Sequence, residues 1–190
     1  MPFILASLLP FALVASSMVK PTTPPPVEEK VVEEPKEFIL VCNDCTANEK
    51  VTMQFFQDRG IKDRNALATI MGNIRQESNF HSNICEGGAR IPYHHCGRGY
   101  GLIQWTSAGR YYGLGKFAKK YGGNASSMNT QLRYLVNENQ WKRIEPAMKT
   151  GGKSIDSYMN TTYSWIGWGH HGYRTHYAHD YANKFILIQK

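Results

Sequence analysis

What the chain lacks narrows it first. Its 190 residues contain no internal repeat, which excludes solenoid and propeller architectures. No His-Glu-x-x-His is present, so His170-His171 and His176-x2-His179 are read as surface or packing residues and no metal is expected. The basic side chains are scattered, which argues against a nucleic-acid module, and no nucleic-acid partner is expected. Acidic residues are few, 15 against 22 lysines and arginines.

Charge is missing altogether from Pro2 to Val19. As a helix that stretch would span ~27 Å at ~1.5 Å per residue, against a hydrocarbon core of ~30 Å. Two readings stand. One is a retained membrane anchor; the other is a cleaved secretory signal, with Ala15-Ser16-Ser17 near the cleavage point. The absence of Lys or Arg before the apolar run favours the anchor. A third reading places this end inside a virus particle. Residues 20–37 are rich in Pro, Glu and Lys and read as an extended, disordered linker. Residues 38–190 then form one domain. Charge divides at that boundary: residues 1–37 carry 3 basic and 5 acidic side chains, the rest 19 and 10. A basic domain suits a polyanionic partner, such as a bacterial wall.

Within the domain, Thr46-Ala47-Asn48-Glu49 fits a capping box. A helix follows to about Arg59, ended by Gly60, and Asp63 can cap the next one. In that next helix, apolar Leu67, Ile70, Met71 and Ile74 lie on one face. Glu77 falls on the same stripe. A carboxyl group held among apolar neighbours loses hydration, so its pKa should rise. An acid that keeps its proton near neutrality is what cleavage of a glycosidic bond requires.

Residues 81–99 have glycines, a proline and no periodicity, and read as a loop edging a cleft. Beyond it comes Tyr100-Gly101-Leu102-Ile103-Gln104-Trp105-Thr106. The aromatic rings can stack on a sugar, and the amide can bond to hydroxyl or N-acetyl groups. Further helices are expected from the apolar faces Tyr111/Leu114/Phe117/Ala118, Met128/Leu132/Leu135/Val136, Ile155/Tyr158/Met159/Trp165 and Tyr177/Ala178/Tyr181/Phe185. The expected fold is mainly α, with a small extended or β element by the cleft.

Taken together, Met71-Gly72-Asn73-Ile74-Arg75-Gln76-Glu77-Ser78-Asn79-Phe80 and Gly99-Tyr100-Gly101-Leu102-Ile103-Gln104-Trp105-Thr106 resemble the bacteriophage tail lysozyme family. That family lies within the wider group of goose-type lysozymes and lytic transglycosylases. The likeness runs from Val51 to about Gln189. It implies a lysozyme-like fold, bacterial peptidoglycan as partner and no cofactor. It implies that Glu77 donates a proton to the bond between N-acetylmuramic acid and N-acetylglucosamine. It also implies that Ser78 orients the acid and that the Gln104 element lies across the cleft. Tyr100, Gln104 and Trp105 are the expected substrate contacts, with Ser78 beside them. Near the C-terminus, Arg174 and Tyr177-Ala178 fit the family, whereas Ser164-Trp165-Ile166-Gly167 replaces its usual acidic residue.

A second carboxylate decides the reaction type. Glu86, in the loop, is the candidate base or nucleophile. Without it, Glu77 can act as acid and then as base toward the sugar's own 6-hydroxyl, which is lytic transglycosylation. The alternative from another class is a non-catalytic wall-binding module with a decayed site. The cysteines leave two readings open. Cys85–Cys96 can close the loop, contributing ~3 kcal/mol in the chain-entropy model. Alternatively, Cys42-x2-Cys45 with Cys85 and Cys96, or with His94 or His95, can hold zinc.

Overall fold

The computed structural model describes residues 37–189. The expected anchor or signal, 1–19, and all of the expected linker but residue 37 lie outside the described residues. In chain order the elements are β1 (Phe38–Val41), α1 (Ala47–Asp58), α2 (Arg64–Ser78), a 3₁₀ turn (Tyr93–His95), α3 (Ala108–Tyr121), α4 (Met128–Asn137), α5 (Asn139–Thr150), α6 (Ile155–Ile166), α7 (Arg174–Lys184) and β2 (Ile186–Gln189). The domain is mainly α, as expected. No described helix is long and apolar enough to cross a membrane.

Local chemistry sets the helix starts. Thr46 accepts from the Glu49 amide while the Glu49 carboxylate accepts from the Thr46 amide, the reciprocal capping box. Asp63 accepts from the Ala66 amide and starts α2. The expected stripe on α2 is fully buried: Leu67, Ile70, Met71 and Ile74 expose no surface. α2 is the central helix, with α6 and α7 packed along it. On its polar side, buried Asn73 donates to the Thr69 carbonyl at 2.9 Å and to the Thr162 hydroxyl of α6 at 3.1 Å. Those bonds satisfy the amide nitrogen and tie α2 to α6, while the Asn73 amide oxygen has no partner among the described residues.

Two features differ from expectation. The sequence reading assigns no helix between 137 and 155, yet α5 occupies Asn139–Thr150. Its Trp141, Ile144 and Met148 face the core, and Trp141 packs edge-on against Trp165, centroids 5.0 Å apart. Pro146 inside the helix and the flanking polar residues mask that periodicity. The regular sheet joins the two ends of the domain, with Phe38 opposite Gln189 and Val41 opposite Ile186. The cleft loop has only isolated bridges, Ile84 with Arg90, Cys85 with Tyr100 and Tyr100 with Trp105.

The cysteines pair as Cys42–Cys45 and Cys85–Cys96. This selects the loop-closing disulfide and corrects the zinc reading, because no thiolate is left to bind metal. No cluster of His, Cys, Asp and Glu suited to a metal occurs among the described residues.

The decisive packing contact is at Gly72. A Cβ there would lie 2.7 Å from both the Ala178 nitrogen and the Arg174 carbonyl oxygen. The α2 and α7 backbones therefore touch with nothing between them. Gly72→Ala must push the helices apart, at a cost of about 1–3 kcal/mol that outweighs the ~1 kcal/mol gain in helix propensity. Denaturant unfolding should show that net loss; unchanged stability would mean that the contact yields without cost.

Candidate functional site

Glu77 sits in the last turn of α2. The chain then turns sharply through two left-handed residues, Asn79 (φ 46°) and Phe80 (φ 61°). Asn adopts this conformation readily, but a bulky Phe does so at a cost of order 1–3 kcal/mol. Phe80 is held there by burial, with its ring edge-on to Tyr181 at 6.1 Å. The only other non-glycine residue with positive φ among those described is Gln104 (φ 49°), across the site.

Glu77 lines a polar pocket of about 250 Å³ with Gln104, Thr106, Trp168, His170 and Arg174. Its side chain is 14% exposed, and the Arg174 guanidinium bonded to it only 4%. Arg174 is the first residue of α7, and it is brought here by the α2–α7 contact at Gly72. Its other amino group donates to the His170 and His171 carbonyls at 3.0 and 2.7 Å. Its guanidinium lies over the Trp168 ring, 5.0 Å from the centroid. Gln76 adds a second tie, accepting from the Tyr173 amide at 2.9 Å. The segment between α6 and α7 is thereby fastened to the end of α2 as one wall of the pocket.

Electrostatics at Glu77 oppose one another. Burial pushes the carboxyl pKa up, and the charges of Arg174 and Arg110 pull it down. Burial is the larger effect, and the pKa stays above its ordinary value. Arg110 is engaged elsewhere, donating to buried Glu138 at 2.7 and 2.8 Å, so its pull on Glu77 acts at longer range.

The opposite wall comes from residues 99–106. Gln104 lines the pocket, and its amide nitrogen donates to the Gly101 carbonyl at 3.0 Å. Gly101 (φ 73°) must be glycine, since a Cβ would meet the Gln131 amide oxygen at 2.3 Å. That buried amide, unforeseen from sequence, accepts from the Leu102 amide at 2.9 Å. It also donates to the Ser82 and Ala125 carbonyls at 2.6 and 2.7 Å.

Three expected substrate contacts are corrected by burial. Tyr100 and Trp105 have no exposed surface. The Tyr100 hydroxyl donates to the Ile91 carbonyl at 2.9 Å, and the Trp105 indole donates to Glu138 at 3.0 Å. Neither ring can stack on a sugar; both hold the wall that presents Gln104. Ser78 is also buried, and its hydroxyl donates to the Leu102 carbonyl at 2.9 Å and not to Glu77. It ties the end of α2 to the opposite wall.

Glu86 is exposed on the disulfide-closed loop and accepts from the Gly99 amide at 3.1 Å. It does not line the Glu77 pocket, but it adjoins that pocket's wall. The point that a Cβ on Gly99 would occupy lies 3.1 Å from the Thr106 hydroxyl, 3.2 Å from the Gln104 carbonyl oxygen and 3.4 Å from a Glu86 carboxylate oxygen. The structure thus brings Glu77, Gln104 and Arg174 to one pocket, sets Glu86 beside it and withdraws Ser78, Tyr100 and Trp105 into the core.

Comparison with known proteins agrees with this architecture. Morphogenesis protein 1 of Bacillus phage B103 is 27% identical to this chain over 114 residues, 56% of the chain. The chain spans only 28% of that relative's length. No solved structure matches. The family model for phage tail lysozyme matches residues 47–185, which include all seven α-helices of the described residues. The chain belongs to the phage tail lysozyme family.

Proposed function

We propose that this domain cleaves the glycan strand of bacterial peptidoglycan, with Glu77 as the general acid. Family membership supports peptidoglycan cleavage as the broad activity. The observation that carries the finer reading is the largely dehydrated Glu77 carboxyl, which lines a polar pocket with Gln104. Burial favours the protonated form of the acid, the form that can give its proton to the glycosidic oxygen. Once the proton leaves, Arg174 stabilises the carboxylate that remains, so one cation assists the charged half of the cycle. Glu86 is the carboxylate that activates water, reaching the sugar from beside Gln104 and Thr106. The chemistry requires no cofactor, and the partner is wall polymer and not nucleic acid.

We further propose that the protein is carried in the virion. The name of the Bacillus phage B103 relative, a morphogenesis protein, supports this placement over a membrane-anchored one. Two disulfides suit the oxidising surroundings in which such a protein acts.

Glu77→Gln keeps the shape and removes the proton. Turbidity clearing of permeabilised cells should fall by ~10²–10⁴-fold in a protein that still unfolds cooperatively, with a lower midpoint because buried Arg174 loses its anionic partner. A folded variant that clears normally would remove Glu77 from the chemistry. Mass spectrometry of the wild-type products then identifies the second step. Reducing ends bearing a full water mark hydrolysis, the outcome that Glu86 as base requires, whereas products one water lighter mark transglycosylation by Glu77 alone.

Arg174 sets the pH window. Removing a cation makes the Glu77 carboxylate harder to form, so the acid keeps its proton to higher pH. In Arg174→Gln the alkaline limb of kcat/KM should therefore move to higher pH while the maximum falls. A limb that stays in place or moves to lower pH contradicts the assignment.

A further inference from the structure

A second groove lies apart from the Glu77 pocket and shares none of its lining residues. Tyr93, Tyr112, Gly115, Lys116 and Lys119 enclose about 380 Å³ on the outer face of α3. Its floor depends on glycine. A Cβ on Gly115 would lie 2.8 Å from the Tyr93 hydroxyl oxygen and 3.0 Å from its ring. Tyr93 is rigidly held: its hydroxyl donates to the Tyr111 carbonyl at 2.8 Å, its amide to the Ser126 hydroxyl at 2.8 Å, and its ring stacks on Tyr111 at 4.6 Å. Tyr112 is 62% exposed, an open aromatic face at the groove's edge.

The rim is cationic. Lys116 and Lys119 are exposed and lie about one turn apart on α3, ~4.5 Å along the axis. Neither forms a salt bridge among the described residues. The surrounding sequence contains nothing to neutralise them: residues 87–137 carry seven Lys and Arg and no Asp or Glu. A fixed aromatic floor edged by two neighbouring ammonium groups suits a flexible chain that alternates carbon-rich units with anionic ones.

We propose that this groove docks a phosphodiester-linked polyol polymer attached to the bacterial wall, holding the enzyme on the surface that it cuts. The polyol carbons lie on Tyr112 and Tyr93, and successive phosphates meet Lys116 and Lys119. Successive phosphates of one chain can meet both lysines at once, whereas the isolated carboxylates of wall peptides would engage one lysine at a time. The proposal rests on peptidoglycan as the substrate. It does not depend on which residue performs the cleavage.

The test uses the full chain carrying Glu77→Gln, so that binding is read without cleavage. Its sedimentation with cell walls is measured before and after hydrofluoric acid removes phosphodiester polymers. The groove variant adds Tyr112→Ala, Lys116→Gln and Lys119→Gln, all at exposed positions. On intact walls, its affinity should fall by at least about tenfold. On stripped walls the two proteins should bind alike, and soluble polyol phosphate polymer should displace only the protein with the native groove. With Glu77 restored, the groove variant should cleave stripped peptidoglycan at the native rate, which also shows that it folds. Equal binding of both proteins to intact walls would overturn the proposal. So would a loss that persists on stripped walls, or an oligonucleotide that competes as well as the polyol polymer. Failure of the native chain to clear walls that it still binds selectively would instead overturn the cleavage reading and leave the docking surface standing.

Discussion

The rest of the site depends on one contact between backbones. At Gly72 the α2 helix has no side chain, and the first two turns of α7 rest directly on it. Helix axes normally keep 8–10 Å apart because side chains fill the gap. Here nothing does, and the closeness has a chemical consequence. Glu77 is the penultimate residue of α2, and Arg174 is the first of α7. The contact therefore brings an acid and a guanidinium together on a largely dehydrated surface. Because Arg174 also holds the His170 and His171 carbonyls, the same contact fixes a wall of the pocket.

For the role proposed for Glu77, that arrangement reconciles two opposing demands. A general acid must keep its proton at the pH of reaction, and the enzyme must also tolerate the carboxylate left behind. Burial alone would meet the first demand and make the second costly. A salt bridge alone would do the reverse. With both present, the pKa stays raised by burial but restrained by Arg174 and Arg110. The geometry needs stiff surroundings. These come from buried amides at Asn73 and Gln131, from the Cys85–Cys96 link, and from the three left-handed residues Asn79, Phe80 and Gln104 that turn the chain at the cleft.

Much of this was legible before any coordinates. The capping residues Thr46 and Asp63 and the stripe Leu67-Ile70-Met71-Ile74 follow from local rules, and each forms as read. Glu77 on that stripe was equally readable, because helical spacing alone brings it to the buried face. What could not be read depends on packing between distant segments. Tyr100 and Trp105 look like sugar platforms in one dimension, and only the folded chain shows their polar tips satisfied by Ile91 and Glu138 inside the core. Ser78 likewise bonds 24 residues along the chain, to Leu102. Arg174 could be noted from resemblance, but its partner, 97 residues away, could not be assigned from spacing. Helix α5 was not assigned at all, because Pro146 and the polar residues around it interrupt its apolar pattern.

The central claim is a carboxyl group at position 77 that resists ionisation in the free enzyme. A pH titration of the Glu77 side-chain carbon by 13C NMR tests it most directly. The account predicts a midpoint above the value of ~4.3 that an ordinary glutamate shows, reached in a protein that stays folded throughout. A midpoint at or below that value would mean that Arg174 outweighs burial, and Glu77 could not then serve as the proton donor described here.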